Sequence, residues 1–472
     1  MSNPTAFLDA LRACIGDRAV VTDPATLAPW LVDWRGRYRG AAAALVEPAN
    51  TVEVAAVVRL AAEHRVALVP QGGNTSMVGG ATPDPSGSSV ILSLRRMNRI
   101  RSLTPQLAVA EAGVILAKLH DAAAQAGRRF PLTLGARGSA TIGGLASTNA
   151  GGTQVLRFGT MRQLVLGVEG VLANGEIHDG LAALKKDNRG YSLDHLLVGS
   201  EGTLGIITAV ALRLVPAVTA RAVAWVGLDS PQQGLDLLRR LEAATPSIEG
   251  FEILPDDSLA RVIEHIPGTR APLSGHHRWH VLIEATASDP AAEVPYALLE
   301  RLLGEALGAG AIADATLAAS EAQAEAFWRI RDSISEAERA CGPAAQHDIA
   351  VPVDSMPRFM IDAAAAVERA FPGTQASGFG HLGDGNVHFH VRPPAGLGEA
   401  WLDGEGKAAS ALVHDLVTAA RGTISAEHGI GQMKIGELQR LGSPARLSAM
   451  RAIKAALDPL GILNPGKLLP PA

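Results

Sequence analysis

Three histidines and a carboxylate stand among glycines in Gly380-His381-Leu382-Gly383-Asp384-Gly385-Asn386-Val387-His388-Phe389-His390. A second stretch, Ser425-Ala426-Glu427-His428-Gly429-Ile430-Gly431, sets a glutamate beside another histidine. The alternation over residues 387–391 predicts a strand, so His388 and His390 project from one face, and the glycines at Gly383 and Gly385 allow a tight turn that returns His381 beside them. Two neutral imidazoles and a carboxylate suit a divalent ion such as zinc, with coordination positions left open for a substrate. The same donors accept manganese, cobalt or iron, so the pattern does not choose the metal. The plainer alternative is a set of packed histidines with ordinary turn glycines. Glu427 and His428 are neighbours and cannot serve one role on regular structure; one ligates while the other faces a substrate.

These side chains need a scaffold, and the first half of the chain signals one. Residues 43–48 and 66–70 read as strands around a helix over 51–64, with Thr51 as its cap and Glu53 in its first turn. This βαβ opening runs into Gln71-Gly72-Gly73-Asn74-Thr75-Ser76-Met77-Val78-Gly79-Gly80. Glycine amides interleaved with amide and hydroxyl side chains after a strand suit a diphosphate. The glycine spacing departs from the dinucleotide fingerprint, and a loop follows where that motif has a helix. A second loop, Pro131-Leu132-Thr133-Leu134-Gly135-Ala136-Arg137-Gly138-Ser139-Ala140-Thr141-Ile142-Gly143-Gly144, continues into Ala146-Ser147-Thr148-Asn149-Ala150-Gly151-Gly152. Two such loops can grip a dinucleotide from both sides. Between them lie strands over 90–94 and 107–112 and a helix over 115–126. Residues 165–178 form a hairpin that turns at Asn174-Gly175. Gly199-Ser200-Glu201-Gly202-Thr203-Leu204-Gly205-Ile206-Ile207-Thr208 then enters a further strand. Residues 1–37 read as an N-terminal helical extension. From 220 to 340 the character changes: strands over 222–228, 248–254 and 278–285 mix with helices over 233–243, 295–307 and 320–338, without phosphate loops.

At 472 residues and 47% hydrophobic content, with a formal net charge of -5, the chain exceeds one ordinary core and should split into two or three domains. Only 4% of residues are aromatic and there is no basic excess, which argues against a nucleic-acid surface. No long uncharged apolar span occurs, and residues 1–18 lack the basic-then-apolar order of a secretory signal, so a cytoplasmic location is expected. Cys14 and Cys341 lack paired spacing and are expected to be reduced, buried bystanders.

Taken in order, the two glycine loops, the cluster at 199–208, the histidine stretch, Glu427-His428-Gly429 and the closing Leu463-Asn464-Pro465-Gly466-Lys467 resemble the FAD-linked D-2-hydroxyacid dehydrogenases. These are flavoproteins of the vanillyl-alcohol oxidase type, and within them the enzymes acting on D-2-hydroxyglutarate are most similar. The resemblance runs over nearly the whole chain after the N-terminal extension. It implies an α+β fold: a two-part FAD-binding domain over 38–217, a substrate domain with antiparallel sheet over 218–424, and a helical C-terminal segment, 425–472, returning to the flavin. The flavin is expected to be non-covalent, because neither loop offers a histidine or cysteine tether. Its implied contacts are Gln71, Gly72, Gly73, Asn74, Thr75, Ser76 and Gly79 in the first loop, and Pro131, Leu134, Gly135, Gly138, Ser139, Thr141, Gly143 and Gly144 in the second. Asn149, Gly152, Glu201, Gly205, Ile206 and Asn464 complete the set.

By the same resemblance His381, His388 and Glu427 ligate zinc, and His428 is the base that takes the substrate's hydroxyl proton. Arg331 clamps the substrate carboxylate, with Ser335 one helical turn on and on the same face. A solvated helix face is the alternative for Arg331, since Arg329 lies two residues earlier. Gln346 and His390 are expected near the substrate, at positions where the mammalian-type enzymes of the group carry lysine and asparagine. Losing that cation weakens the case for a second substrate carboxylate unless His347 or His390 compensates. The implied reaction is oxidation of a D-2-hydroxy acid to the 2-oxo acid, with D-2-hydroxyglutarate to 2-oxoglutarate favoured. D-lactate, glycolate or another 2-hydroxy acid is the alternative substrate, and an oxygen-using oxidase the alternative acceptor chemistry. An external acceptor such as an electron-transfer flavoprotein or quinone is implied, and a homodimer is open. A non-catalytic module that holds flavin or stores metal is the reading from a different class.

Overall fold

The computed structural model describes residues 4–470, and its contacts divide the chain into two compact units. The first holds the residues up to Gly152, Phe158–Pro216 and everything from Glu427 onward. The N-terminal extension and the C-terminal segment therefore belong to it. Val20–Val21 (β1), Ala44–Val46 (β2), Leu68–Gln71 (β3) and Val90–Ser93 (β4) form one sheet in the order β1-β2-β4-β3, parallel apart from β1. β2 and β4 are buried along their whole length, as parallel strands covered on both faces are.

The helix Thr51–His64 crosses between β2 and β3, but its cap is Asn50, whose side chain accepts from the Glu53 amide. Thr51 is otherwise engaged, because its hydroxyl donates to Glu169 at 2.6 Å. The first helix, Pro4–Ile15, presses Phe7 and Leu11 into this core. Cys14 lies exposed near the end of that helix and Cys341 lies exposed just past another, which corrects the expectation that both thiols are buried. A second sheet joins Ile100–Leu103 (β5), Leu107–Glu111 (β6), Val165–Val171 (β8), Ile177–Asp179 (β9) and Ile206–Arg213 (β10) in the antiparallel order β5-β6-β10-β8-β9, while Arg128–Arg129 (β7) and Val215–Pro216 (β11) pair separately.

The second unit, residues 153–157 and 217–426, is built on one antiparallel sheet. Ala220–Leu228 (β12), Ile248–Pro255 (β13), Trp279–Ala287 (β14), Asp314–Leu317 (β15), Ala345–Ala350 (β16), Gln375–His381 (β17) and Asn386–Arg392 (β18) run in the order β15-β12-β14-β13-β17-β18-β16. Period-two alternation sorts the side chains of β18. Val387, Phe389 and Val391 enter the unit's main core, under helices that include Pro231–Ala244, Pro295–Gly308 and Met356–Ala370. The opposite face packs against Asp256–His265, Glu321–Asp332 and Ile334–Ala340 and receives the polar residues of β13, β17 and β18. The helix expected over 320–338 is two helices, because Ser333 leaves the regular helix at φ -83, ψ -5 and starts the second. Serine is a weak helix former that competes for backbone groups. Among the described residues no helix is long and apolar enough to cross a membrane.

Candidate active site

A cavity of about 610 Å³ lies within the first unit. Its wall includes residues 71–76, 134–135 and 143–144, with Ser139, Thr141, Glu201, Gly205 and Ile206. All three glycine clusters thus face one space. The first two loops also meet directly: a Cβ on Gly72 would fall 2.2 Å from Thr141 Oγ1, and one on Gly73 would fall 1.9 Å from the Ser139 carbonyl oxygen. Neither glycine has a positive φ, so it is space that demands glycine here.

Two polar atoms test whether a dinucleotide fits. Gln71 Oε1 and Thr141 Oγ1 are buried without a hydrogen-bond partner in the protein, and both residues line the cavity. Gln71 Nε2 donates to the carbonyls of Trp30 and Ala81, at 3.0 and 2.8 Å. That fixes the amide and leaves Oε1 as an acceptor. An acceptor, a hydroxyl and glycine amides around a space in the usual range for cofactor pockets suit FAD.

Six expected contacts do not line the cavity, and several of them hold backbone in place instead. Asn149 Oδ1 accepts from Thr160 Oγ1 at 3.0 Å and from the Arg162 amide at 2.9 Å, and the residue closes its helix in a left-handed conformation. Asn464 Nδ2 donates to the carbonyls of Gly80 and Glu201. A Cβ on Gly152 would fall 2.3 Å from the Thr133 carbonyl oxygen. The Gly79 carbonyl accepts from Gln432 Nε2 at 2.9 Å, Pro131 is buried and Gly138 is exposed. Glu201 does line the cavity, yet its carboxylate accepts the amides of Ile430 and Gly431, each at 2.7 Å. Burial pushes that carboxyl up. Glu201 therefore clips the C-terminal segment in place, and Glu427 and His428 become part of the cavity wall. The wall also includes Trp34, Leu94 and Ala112, which no motif in the sequence marks.

In the second unit β17 and β18 form the hairpin that carries the histidines. Phe379 pairs with His388 and His381 with Asn386, and the rings of His381 and His388 lie 5.6 Å apart, nearly perpendicular. His390 shares the face but is drawn away, with Nδ1 3.1 Å from Glu338. Arg392 and Arg261 bond to the same carboxylate. Gln346 stands directly across from His390. His347 alternates to the other face, where its Nδ1 donates to the Phe389 carbonyl at 2.9 Å and its ring meets His414. It cannot make up for the missing cation beside Gln346, which corrects that expectation; His390 already faces a carboxylate.

Burial alone would push the Glu338 carboxyl up, but the hydrogen bond from His390 and the charges of His390, Arg392 and Arg261 hold it down at about 2, against 4.5 for a free glutamate. A depressed folded-state value gives stability that is present above pH 4.5 and lost as pH falls toward about 2. Glu338→Gln is expected to cost about 2–3 kcal/mol at pH 7, with the difference from wild type shrinking below pH 4.5. Urea unfolding at a series of pH values measures this; a cost that does not change with pH contradicts it.

Arg331 does not belong to a solvated face. Its Nε donates to Glu252 Oε2 at 2.8 Å, and its Nη2 lies 3.0 Å from His381 Nε2. Arg329 is the exposed one, donating to the Pro267 carbonyl. Ser335 is exposed and sits on the helix after the Ser333 break, so it is not one uninterrupted turn from Arg331. The residue that sequence reasoning missed is Glu252, 1% exposed. Burial would push its carboxyl up, but the charge of Arg331 and the hydrogen bonds from His381 and Arg331 hold it down. The available signal was a glutamate inside an apolar strand, since buried carboxylates are almost always paired.

Residues 218–468 match the family described as FAD linked oxidases, C-terminal domain, and residues 42–180 the family described as FAD binding domain. The chain belongs to the FAD-linked oxidases. This FAD-linked oxidase is 37% identical over 468 residues to D-2-hydroxyglutarate dehydrogenase, mitochondrial, of Arabidopsis thaliana, covering 97% of this chain and 80% of that protein. It is 36% identical over 470 residues to D-2-hydroxyglutarate dehydrogenase of Xanthomonas citri pv. viticola, covering 97% and 96%. Among solved structures, p-cresol methylhydroxylase with substrate bound superposes with a TM-score of 0.72 at 17% identity, covering 98% of this chain and 96% of the other. 4-Ethylphenol oxidase from Gulosibacter chungangensis gives 0.69 at 18% identity, covering 99% and 97%. At such identity the likeness concerns the fold, and it is the two-domain vanillyl-alcohol oxidase type expected from the motifs.

Proposed function

We propose that this FAD-linked oxidase dehydrogenates a D-2-hydroxy acid to the 2-oxo acid, with D-2-hydroxyglutarate as the substrate that the names of its relatives favour. The observation that carries the reading is His428 on the wall of a flavin-sized cavity, directly after a glutamate. Bound FAD supplies the hydride acceptor, and a bound divalent ion supplies a Lewis acid for the substrate's oxygens. A non-covalent flavin fits this reading, since neither glycine loop carries a histidine or cysteine tether.

On the family resemblance, His381 and His388 of the hairpin, together with Glu427, hold the ion; imidazole and carboxylate are donors of the kind a divalent ion takes. His428, with an imidazole's affinity for protons near neutrality, takes the hydroxyl proton. Arg331 holds the substrate carboxylate in its planar fork. Gln346 offers an amide in place of a cation to the far end of the substrate, so a second carboxylate is recognised by hydrogen bonds. Electrons leave for an external acceptor of the electron-transfer flavoprotein or quinone class.

The test is anaerobic bleaching of the purified yellow protein by the separate enantiomers of 2-hydroxyglutarate and lactate, and by glycolate. The D enantiomer of hydroxyglutarate is expected to bleach the flavin and the L enantiomer not. Treatment with a strong chelator is expected to suppress turnover with an artificial acceptor, and added zinc to restore it. Bleaching by the smaller acids alone would move the substrate to D-lactate or glycolate. Stoichiometric peroxide in air would move the acceptor to oxygen, and no bleaching by any 2-hydroxy acid would leave a non-catalytic module.

A further inference from the structure

Glu252 on β13 stands opposite His381 on β17, and its two oxygens serve two partners. Oε1 lies 2.6 Å from His381 Nδ1, and Oε2 lies 2.8 Å from Arg331 Nε. An ionised carboxylate only accepts hydrogen bonds, so His381 carries its proton on Nδ1. Arg331 Nη2 lies 3.0 Å from the other ring nitrogen, Nε2, and 3.5 Å from Nδ1, beside the ring. The other buried glutamate of this strand, Glu249, has a different use: it pairs with Arg157 and Thr286.

We propose that Glu252 is a positioning residue for the oxidation: it fixes His381 in the Nδ1–H tautomer, so that the Nε2 lone pair is presented to a divalent cation, and it sets the Arg331 fork by holding its Nε edge. The proposal rests on the metal reading given above. A carboxylate behind an imidazole fixes the ring and raises its basicity as a ligand.

The experiment compares the FAD-loaded wild type with Glu252→Gln. Zinc affinity, read by competition with a chromophoric chelator, is expected to fall about 10–100-fold while flavin content stays unchanged; unchanged zinc affinity in a flavin-replete variant overturns the proposal. A second measurement needs no variant: histidine-labelled wild type, read by ¹⁵N–¹H correlation without metal, is expected to show His381 protonated on Nδ1. Protonation on Nε2 alone, with Nδ1 bare, overturns the proposal even if Glu252→Gln fails to fold. Wild type that binds no zinc would sink the metal reading and the ligand half of the proposal with it, and the same spectrum would still decide whether Glu252 orders His381 and Arg331.

Discussion

Replacing His428 with asparagine is expected to slow flavin reduction by a D-2-hydroxy acid by about 10²–10⁴-fold, the usual contribution of a positioned general base. His428 is half-buried on the cavity wall, and the clip between Glu201 and the amides of Ile430 and Gly431 fixes the segment that carries it. Asparagine keeps a planar polar side chain of similar reach but cannot take a proton near neutrality. Flavin content should not change, because the amides and hydroxyls of the glycine loops, which hold the diphosphate, are untouched. Rapid mixing of enzyme and substrate without oxygen isolates the reductive step from electron export. Reduction at the wild-type rate would remove His428 from the chemistry.

Gly73→Ala is expected to yield protein with little or no flavin. The added methyl would fall 1.9 Å from the Ser139 carbonyl oxygen and 2.8 Å from its carbon, and backbone atoms cannot swing aside as a flexible side chain does. The two loops must separate, and with them the amides that face the cavity. Overpacking of this kind costs about 1–3 kcal/mol, and each 1.4 kcal/mol felt at the site is roughly a tenfold loss of affinity. FAD affinity should therefore fall at least about tenfold, read by titrating apoprotein and by the ratio of flavin to protein absorbance. Gly138→Ala is the control, since its Cβ would meet nothing within 4 Å and the residue does not line the cavity. Equal flavin content in the two variants would refute the account of the loops as a close-packed pair.

The flavin half of the protein could be read from the sequence because its physics is local. Glycines after a strand announce tight backbone approach, and residues 71–76 with 143–144 do wall the cavity. The β17–β18 hairpin was readable for a similar reason: alternation fixes which histidines share a face. That same alternation already sets His347 against Gln346, so its inward turn could have been foreseen. Glu252 was hidden because its partners Arg331 and His381 lie 79 and 129 residues away, and strand order, which sequence does not display, brings them together. The cap at Asn50 turns on a single hydrogen bond, for which Thr51 is an equally plausible neighbour by residue type.

Leu68 of β3 donates to the Ile462 carbonyl and accepts from the Asn464 amide, so a strand made before the second unit is completed by residues made after it. During synthesis the ribosome finishes the whole second unit before it delivers that edge. Domains commonly fold as they emerge, yet here the nascent first unit must wait, short of part of its wall, until residues 427–464 have followed the second unit out. Flavin capture on this account comes after synthesis of the second unit, and a chain that stops at residue 426 carries the histidine hairpin without a finished place for the cofactor.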